Sequence, residues 1–334
     1  MFKIKINSDG VNGHFTDYAD KVRTAVSNYL DGGSVLFVAD YTKRFLTDLS
    51  ISDTSHIGTG STLEILLIGD FSQQKALIQK IDSELAKEET NKVGSINEFK
   101  DVMKELFVEK FYGDRFFFQK DKHIERVGID VCPYCGRNYV YSVDHPTKSN
   151  PNTKVKVELD HFLPKSEYPY LAINYYNLLP SCKTCNASPC KWNNDPIGKD
   201  RGHEYLMQPY EFRESDIQFS YIPTTRFYND FSVCVDMICS NRDLDKGYKG
   251  WLALDKFYAK HNKVVTRMYV QLESIVANEY HCYLKDKFKV PVSFLDKVPN
   301  MMFGYNLEDA DAPFISLHKF KKDIFKQMRQ DIKR

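Results

Sequence analysis

Two Cys-x-x-Cys pairs, Cys132-Pro133-Tyr134-Cys135 and Cys182-Lys183-Thr184-Cys185, stand 46 residues apart in the chain. No other feature restricts the fold as strongly. Each pair forms a tight turn that offers two thiolates to one ion, so the two turns have to meet at a single tetrahedral site. The expected occupant is a structural Zn²⁺ held by Cys132, Cys135, Cys182 and Cys185. Eight cysteines in 334 residues are too few for a disulfide scaffold, and paired spacing in a reducing compartment favours metal.

Between the cysteine pairs lies the densest chemistry of the chain. Val155-Lys156-Val157-Glu158-Leu159 alternates with period two, which predicts a β-strand. Asp160 and His161 close it, and Pro164 ends the extended run soon after. Two asparagines follow, Asn177 at 16 and Asn186 at 25 residues beyond His161, the second touching Cys185. Hydrolysis of a phosphodiester needs a deprotonated water and a cation for the leaving oxygen. Histidine is the natural base near neutral pH, and Mg²⁺ takes one or two carboxylate or amide oxygens with water and phosphate. Asp160 and Asn186 can supply such oxygens, His161 can act as the base, and Asn177 can fix a backbone or imidazole by hydrogen bonds.

In this order and spacing, Asp160-His161, Asn177 and Asn186 resemble the HNH (ββα-metal) endonuclease motif, flanked by that group's double Cys-x-x-Cys frame. The resemblance covers roughly Cys132 to Lys191, about a fifth of the chain. It implies that Asp160 and Asn186 bind a catalytic Mg²⁺ or Mn²⁺, that His161 activates water, and that Asn177 orients the base or its loop. More narrowly, His161-Phe-Leu-Pro-Lys-Ser166 with Asn177-Leu-Leu-Pro-Ser-Cys-Lys-Thr-Cys-Asn186 is similar to HNH proteins encoded beside an ATPase in antiphage systems of the Septu (PtuB-like) and retron type. Those relatives place a lysine about three residues after the last asparagine; here Ala187-Ser-Pro-Cys190 intervenes before Lys191. Lys165 and Lys191 are the candidate nucleic-acid contacts.

A formal net charge of +1 puts any phosphate-binding surface in a local patch. Weak bulk attraction to DNA also predicts dependence on a partner protein, in the resemblance an ATPase. No apolar run is long enough for a membrane span, and Met1 to Ile6 lacks a signal-peptide core, so a cytoplasmic protein is expected.

The expected fold class is α+β. Residues 1–92 read as an N-terminal α/β accessory unit, with candidate strands at Lys3–Ile6, Val35–Val38 and Leu63–Ile68 and a helix presenting Tyr18, Val22, Val26 and Leu30. Residues 93–212 read as the nuclease domain, and 213–334 as a mostly helical region with a candidate strand at Ile217–Tyr221. That last region holds one long amphipathic helix from Leu254 to Val276 and a basic helix from Ile315 to Arg334. Two other functions compete. One is a zinc-stabilised nucleic-acid-binding or scaffold subunit with an inactive site. The other is a thiol oxidoreductase built on Cys132-Pro-Tyr-Cys135, which needs the motif to cap a strand and open a helix. The following Gly136-Arg-Asn-Tyr-Val-Tyr141 reads instead as a knuckle turn into a strand.

Overall fold

A computed structural model describes residues 1–32, 40–50, 56–57, 60–89, 95–144, 154–155, 157–227, 230–276, 283, 286–289 and 314–332. The candidate strand at 35–38 and most of the polar loop at 144–153 lie outside them. The architecture is α+β: helices surround small two-stranded sheets.

The described residues of the N-terminal part are mostly helical, with one short antiparallel strand pair, His56–Ile57 and Gly60–Ser61. Helix α1 (Ser8–Asp31) starts at Asn7, whose side-chain oxygen accepts from Gly10 N at 3.0 Å, and buries Val11, His14, Tyr18, Val22 and Val26 along one stripe. Helices α2 (Asp40–Ser50), α3 (Thr62–Ile68) and α4 (Phe71–Glu89) complete the unit. Leu63–Ile68, expected as a strand, lies within α3. A short apolar run does not distinguish a buried strand from a buried helix. Here Ser61 decides the matter, its hydroxyl accepting from Glu64 N at 3.2 Å as an N-cap. Phe2 and Ile4 are buried and Lys3 and Lys5 exposed, so the alternation is real, yet among the described residues the segment joins no sheet.

Helix α5 (Ser95–Met103) runs on into a wider π-helical stretch at Lys104–Tyr112, and α6 (Lys120–Val127) stops at Gly128, which takes φ +63°. Next come antiparallel strands β1 (Glu158–His161) and β2 (Leu178–Ser181), with Glu158 opposite Ser181 and His161 opposite Leu178. A four-residue helix, α7 (Lys183–Asn186), follows.

The region after residue 213 opens on a long hairpin, whose first strand contains the candidate strand at Ile217–Tyr221 and extends beyond it. Strands β3 (Ile217–Phe227) and β4 (Asp230–Cys239) alternate cleanly. Ile217, Phe219, Tyr221, Val233, Val235 and Met237 point inward, and Gln218, Cys234, Asp236 and Ile238 outward. The expected long helix is broken into α8 (Leu254–Ala259) and α9 (Asn262–Val276). Short-range bonds from Lys260 N to Phe257 O and from His261 N to Tyr258 O tighten the junction.

Helix α10 (His318–Ile332) covers the free edge of β3. Asp323 accepts from Phe219 N, and Gln327 both accepts from Tyr221 N and donates to Tyr221 O. The match is geometric, since four helical residues rise about 6 Å and two strand residues about 6.6 Å. Of its basic residues, Lys319 pairs with Asp323, and Lys322 and Lys326 with Glu214. One continuous set of buried apolar side chains extends from Met1 to Met328. Among the described residues no helix is long and apolar enough to cross a membrane.

Candidate functional site

The four thiols of Cys132, Cys135, Cys182 and Cys185 are buried, and their sulfurs all lie within 4.8 Å of one another. A zinc–sulfur bond of about 2.3 Å sets tetrahedral sulfur–sulfur edges near 3.8 Å. The Cys135 and Cys182 sulfurs are 3.9 Å apart, so the donor set fits zinc. Two turns build it. In the first, Gly136 N bonds to Cys132 O, Cys132 N to Asn138 O, and Gly136 turns at φ +61°. In the second, Cys185 N and Asn186 N both bond to Cys182 O. Asn138 Nδ2 donates to the Cys182 sulfur at 3.3 Å, and hydrogen bonding from Cys132 brings that thiol down to about 7. Cys132-Pro-Tyr-Cys135 opens no helix and is sealed from solvent, unlike a redox pair. Tyr258 holds this knuckle from the C-terminal region, donating to Cys135 O at 2.6 Å.

One strand away stands His161. Its Nε2 lies 3.0 Å from Ala172 O. A carbonyl only accepts, so Nε2 carries the proton and Nδ1 keeps its lone pair. Burial pushes the imidazole well below the usual histidine range; Lys165, Lys191 and Lys120 push the same way, against the Ala172 carbonyl. The ring meets Tyr112 edge-on at 4.6 Å. His161 is therefore a neutral, oriented base with cations around it.

Asn177 is fully buried and braces the loop after β1. Its Oδ1 accepts from Leu163 N at 2.7 Å, its Nδ2 donates to Leu163 O and Leu171 O, and its carbonyl accepts from Phe162 N. Sequence reasoning missed Asn174, which ties this loop to the helical unit. Its Oδ1 accepts from Tyr176 N, Asn177 N and Gln74 Nε2, while its Nδ2 donates to Ile65 O and Gly69 O.

Asp160 and Asn186 are not arranged as expected. Both Asp160 oxygens are taken: the buried Lys191 ammonium lies 3.2 Å from Oδ1 and 3.0 Å from Oδ2, and the Tyr134 hydroxyl donates to Oδ2. Burial pushes the Asp160 carboxyl up, and Lys191 opposes that rise. Asn186 turns its Nδ2 to Glu158 Oε2 at 3.0 Å. An oxygen site for Mg²⁺ or Mn²⁺ needs Asp160 open, so in this arrangement the donors do not fit such an ion. Lys191 itself, expected at phosphate, is fully buried and also donates to His161 O at 2.8 Å. It is an internal counter-ion here.

Lys165 does stand beside His161, its ammonium 4.9 Å from the centre of the Tyr112 ring. Lys120 approaches the same ring at 4.0 Å. Sequence reasoning does not single out Lys120. Tyr112 sits in an aromatic string that reads as packing, and Lys120 on an unremarkable polar helix.

No family model matches the chain, and no solved structure does. A short stretch does have a counterpart. Thirty residues, 9% of this chain, are 63% identical to the Septu protein PtuB of Bacillus thuringiensis. The match spans 12% of that protein's length, so the likeness is local.

Proposed function

We propose that this chain is an endonuclease that hydrolyses phosphodiester bonds of DNA, with His161 as the general base. One observation carries the reading. The Ala172 carbonyl fixes the protonated nitrogen of His161 and leaves the lone pair on Nδ1, while the charges of Lys165, Lys191 and Lys120 all act on the buried imidazole. A water whose proton passes to Nδ1 can attack phosphorus, forming the new P–O bond as the P–O bond to the ester oxygen breaks and that oxygen takes a proton from solvent. Burial keeps the imidazole neutral, and the cations that add to this also attract the phosphate, whose charge then offsets that of the imidazolium as it forms. Asn177 acts by holding the loop, and the zinc frame by holding Asn186 and β2. The local likeness to Septu PtuB supports a role in a defence system, with an ATPase as the proposed partner.

A second reading is favoured by the Asp160–Lys191 pair. A carboxylate already neutralised from within suits a zinc-stabilised nucleic-acid-binding or scaffold subunit whose site is inactive. Cleavage of supercoiled plasmid in Mg²⁺ and separately in Mn²⁺, by wild type and His161→Ala, decides between them. The expected loss on His161→Ala is at least about 100-fold, with zinc content unchanged. Equal rates from both proteins would sink the histidine mechanism. Silence from both, persisting with the partner ATPase added, would select the scaffold.

A further inference from the structure

The buried ammonium of Lys191 sits in a cup of three oxygens: Asp160 Oδ1 at 3.2 Å, Asp160 Oδ2 at 3.0 Å and His161 O at 2.8 Å. All three of its donors are used. Two carboxylate oxygens and a backbone carbonyl are also what a hard divalent ion seeks. A second carboxylate stands close by. Glu158 is two residues from Asp160 on β1, so its side chain leaves the same face of the strand, and Asn186 Nδ2 donates to its Oε2 at 3.0 Å. The donors of a divalent centre are therefore present, with a lysine seated among them. A divalent ion would bring twice the charge of the ammonium to the same oxygens.

We infer that Lys191 is an internal latch: its ammonium takes the place of a divalent ion at Asp160, and the turn at residues 190–194 has to swing outward before Asp160 accepts one. The latch governs ion binding and is independent of whether the open site cleaves DNA. The turn carries Lys191 inward and its neighbour outward. Lys191 N bonds to Cys185 O in the thiol frame, Asn194 N closes the turn on Lys191 O, and Asn194 Nδ2 donates to Cys190 O. Trp192 is 58% exposed and takes φ +43°, a left-handed backbone that bulky residues rarely adopt. Such a conformation persists only where its surroundings over-determine it, and the bonds of Lys191 supply that constraint. Releasing the ammonium thus relaxes Trp192 as well. Asn193 and Asn194 border an open cleft of about 770 Å³, which gives the turn room to move.

The test is uptake of Mn²⁺ by the full, zinc-loaded chain, with free ion counted by electron paramagnetic resonance. Lys191→Met should bind Mn²⁺ at least about tenfold more tightly than wild type, and adding Asp160→Asn should abolish the gain. Zinc content and circular dichroism establish that each variant is folded. The wild type supplies a second measurement that no folding defect can obscure. Ion and ammonium compete for the same oxygens, so raising Mn²⁺ should increase acetylation of Lys191 by acetic anhydride, read from peptide masses. Lys319, buried and paired with Asp323 at 2.9 Å, is the control and should stay protected at every Mn²⁺ concentration. Wild type that binds Mn²⁺ through Asp160 as tightly as Lys191→Met would overturn the latch. So would a folded Lys191→Met that takes up no more Mn²⁺ than the double variant, or a wild-type Lys191 that stays unlabelled as Mn²⁺ rises.

Discussion

The surroundings of His161 and the interior around His14 and His123 are built on the same bond. In each case an imidazole Nε2 meets a backbone carbonyl of the segment 172–178: Ala172 for His161, Ile173 for His14, Leu178 for His123. All three rings are buried, and burial lowers the pKa of each. Nδ1 of His14 and of His123 is sealed without a partner. His14 and His123 contact one another's rings, with Tyr175 and Phe118 alongside. His161 has lysines instead. The shared bond fixes a tautomer, and the groups around each ring, aromatic at His14 and His123 and cationic at His161, then set the regions apart.

Removing the zinc frame should have the largest effect, because it holds β2 and hence both regions. Cys185→Ser, or stripping metal from wild type with a strong chelator, should unfold the chain at ordinary temperature. Structural zinc contributes on the order of 10 kcal/mol or more in small zinc-bound peptides. Metal content and thermal melting check this. A chelated protein with an unchanged melting point would show that the four thiols pack without an ion.

Breaking the Asp160–Lys191 pair should come next, and it acts on the His161 side alone. Lys191→Met leaves a buried carboxylate without its cation, at a cost of about 3–5 kcal/mol. Asp160→Asn combined with Lys191→Met should recover much of that, which denaturant titrations can measure. The same pair tests the expected divalent site. Mn²⁺ that stabilises Lys191→Met but not the double variant would make Asp160 a latent metal ligand closed by the lysine. Equal response of the two would leave Asp160 a structural carboxylate.

The contrast also explains what could be read from sequence. The thiol cluster was legible because short Cys-x-x-Cys spacing encodes its own geometry. One face of α1 was legible from period 3.6, and β1 from period two. The helix at Thr62–Ile68 was not, because a run buried on all sides has no period; only Ser61 and Glu64 marked its start. Lys191 was read as a surface cation because lysines almost never lie fully buried, and nothing local announces a partner 31 residues away. Tyr112 and Lys120 meet His161 only through tertiary packing, where sequence spacing carries no signal. Hydrogen bonds to backbone carbonyls, which define all three histidine sites, have no signature in the acceptor residue at all.

The smallest predicted effect bears directly on the two histidine regions. Burial holds His123 at about 4, against about 6.5 for an exposed histidine. As pH falls below about 6.5 the unfolded chain takes up this proton first, while the folded chain resists it. The contribution of a neutral His123 is therefore complete above pH 6.5 and is lost progressively as pH falls towards 4. It amounts to on the order of 3 kcal/mol. His14, lowered in the same sense, steepens the decline. His123→Gln keeps an amide donor for Leu178 O and removes the titrating site, so its stability should fall less steeply over this window. Urea unfolding at pH 7, 6 and 5, with zinc content followed at each pH, separates this loss from acid release of the metal. Parallel profiles for wild type and His123→Gln would break the comparison, because a sealed histidine that titrates freely is not sealed.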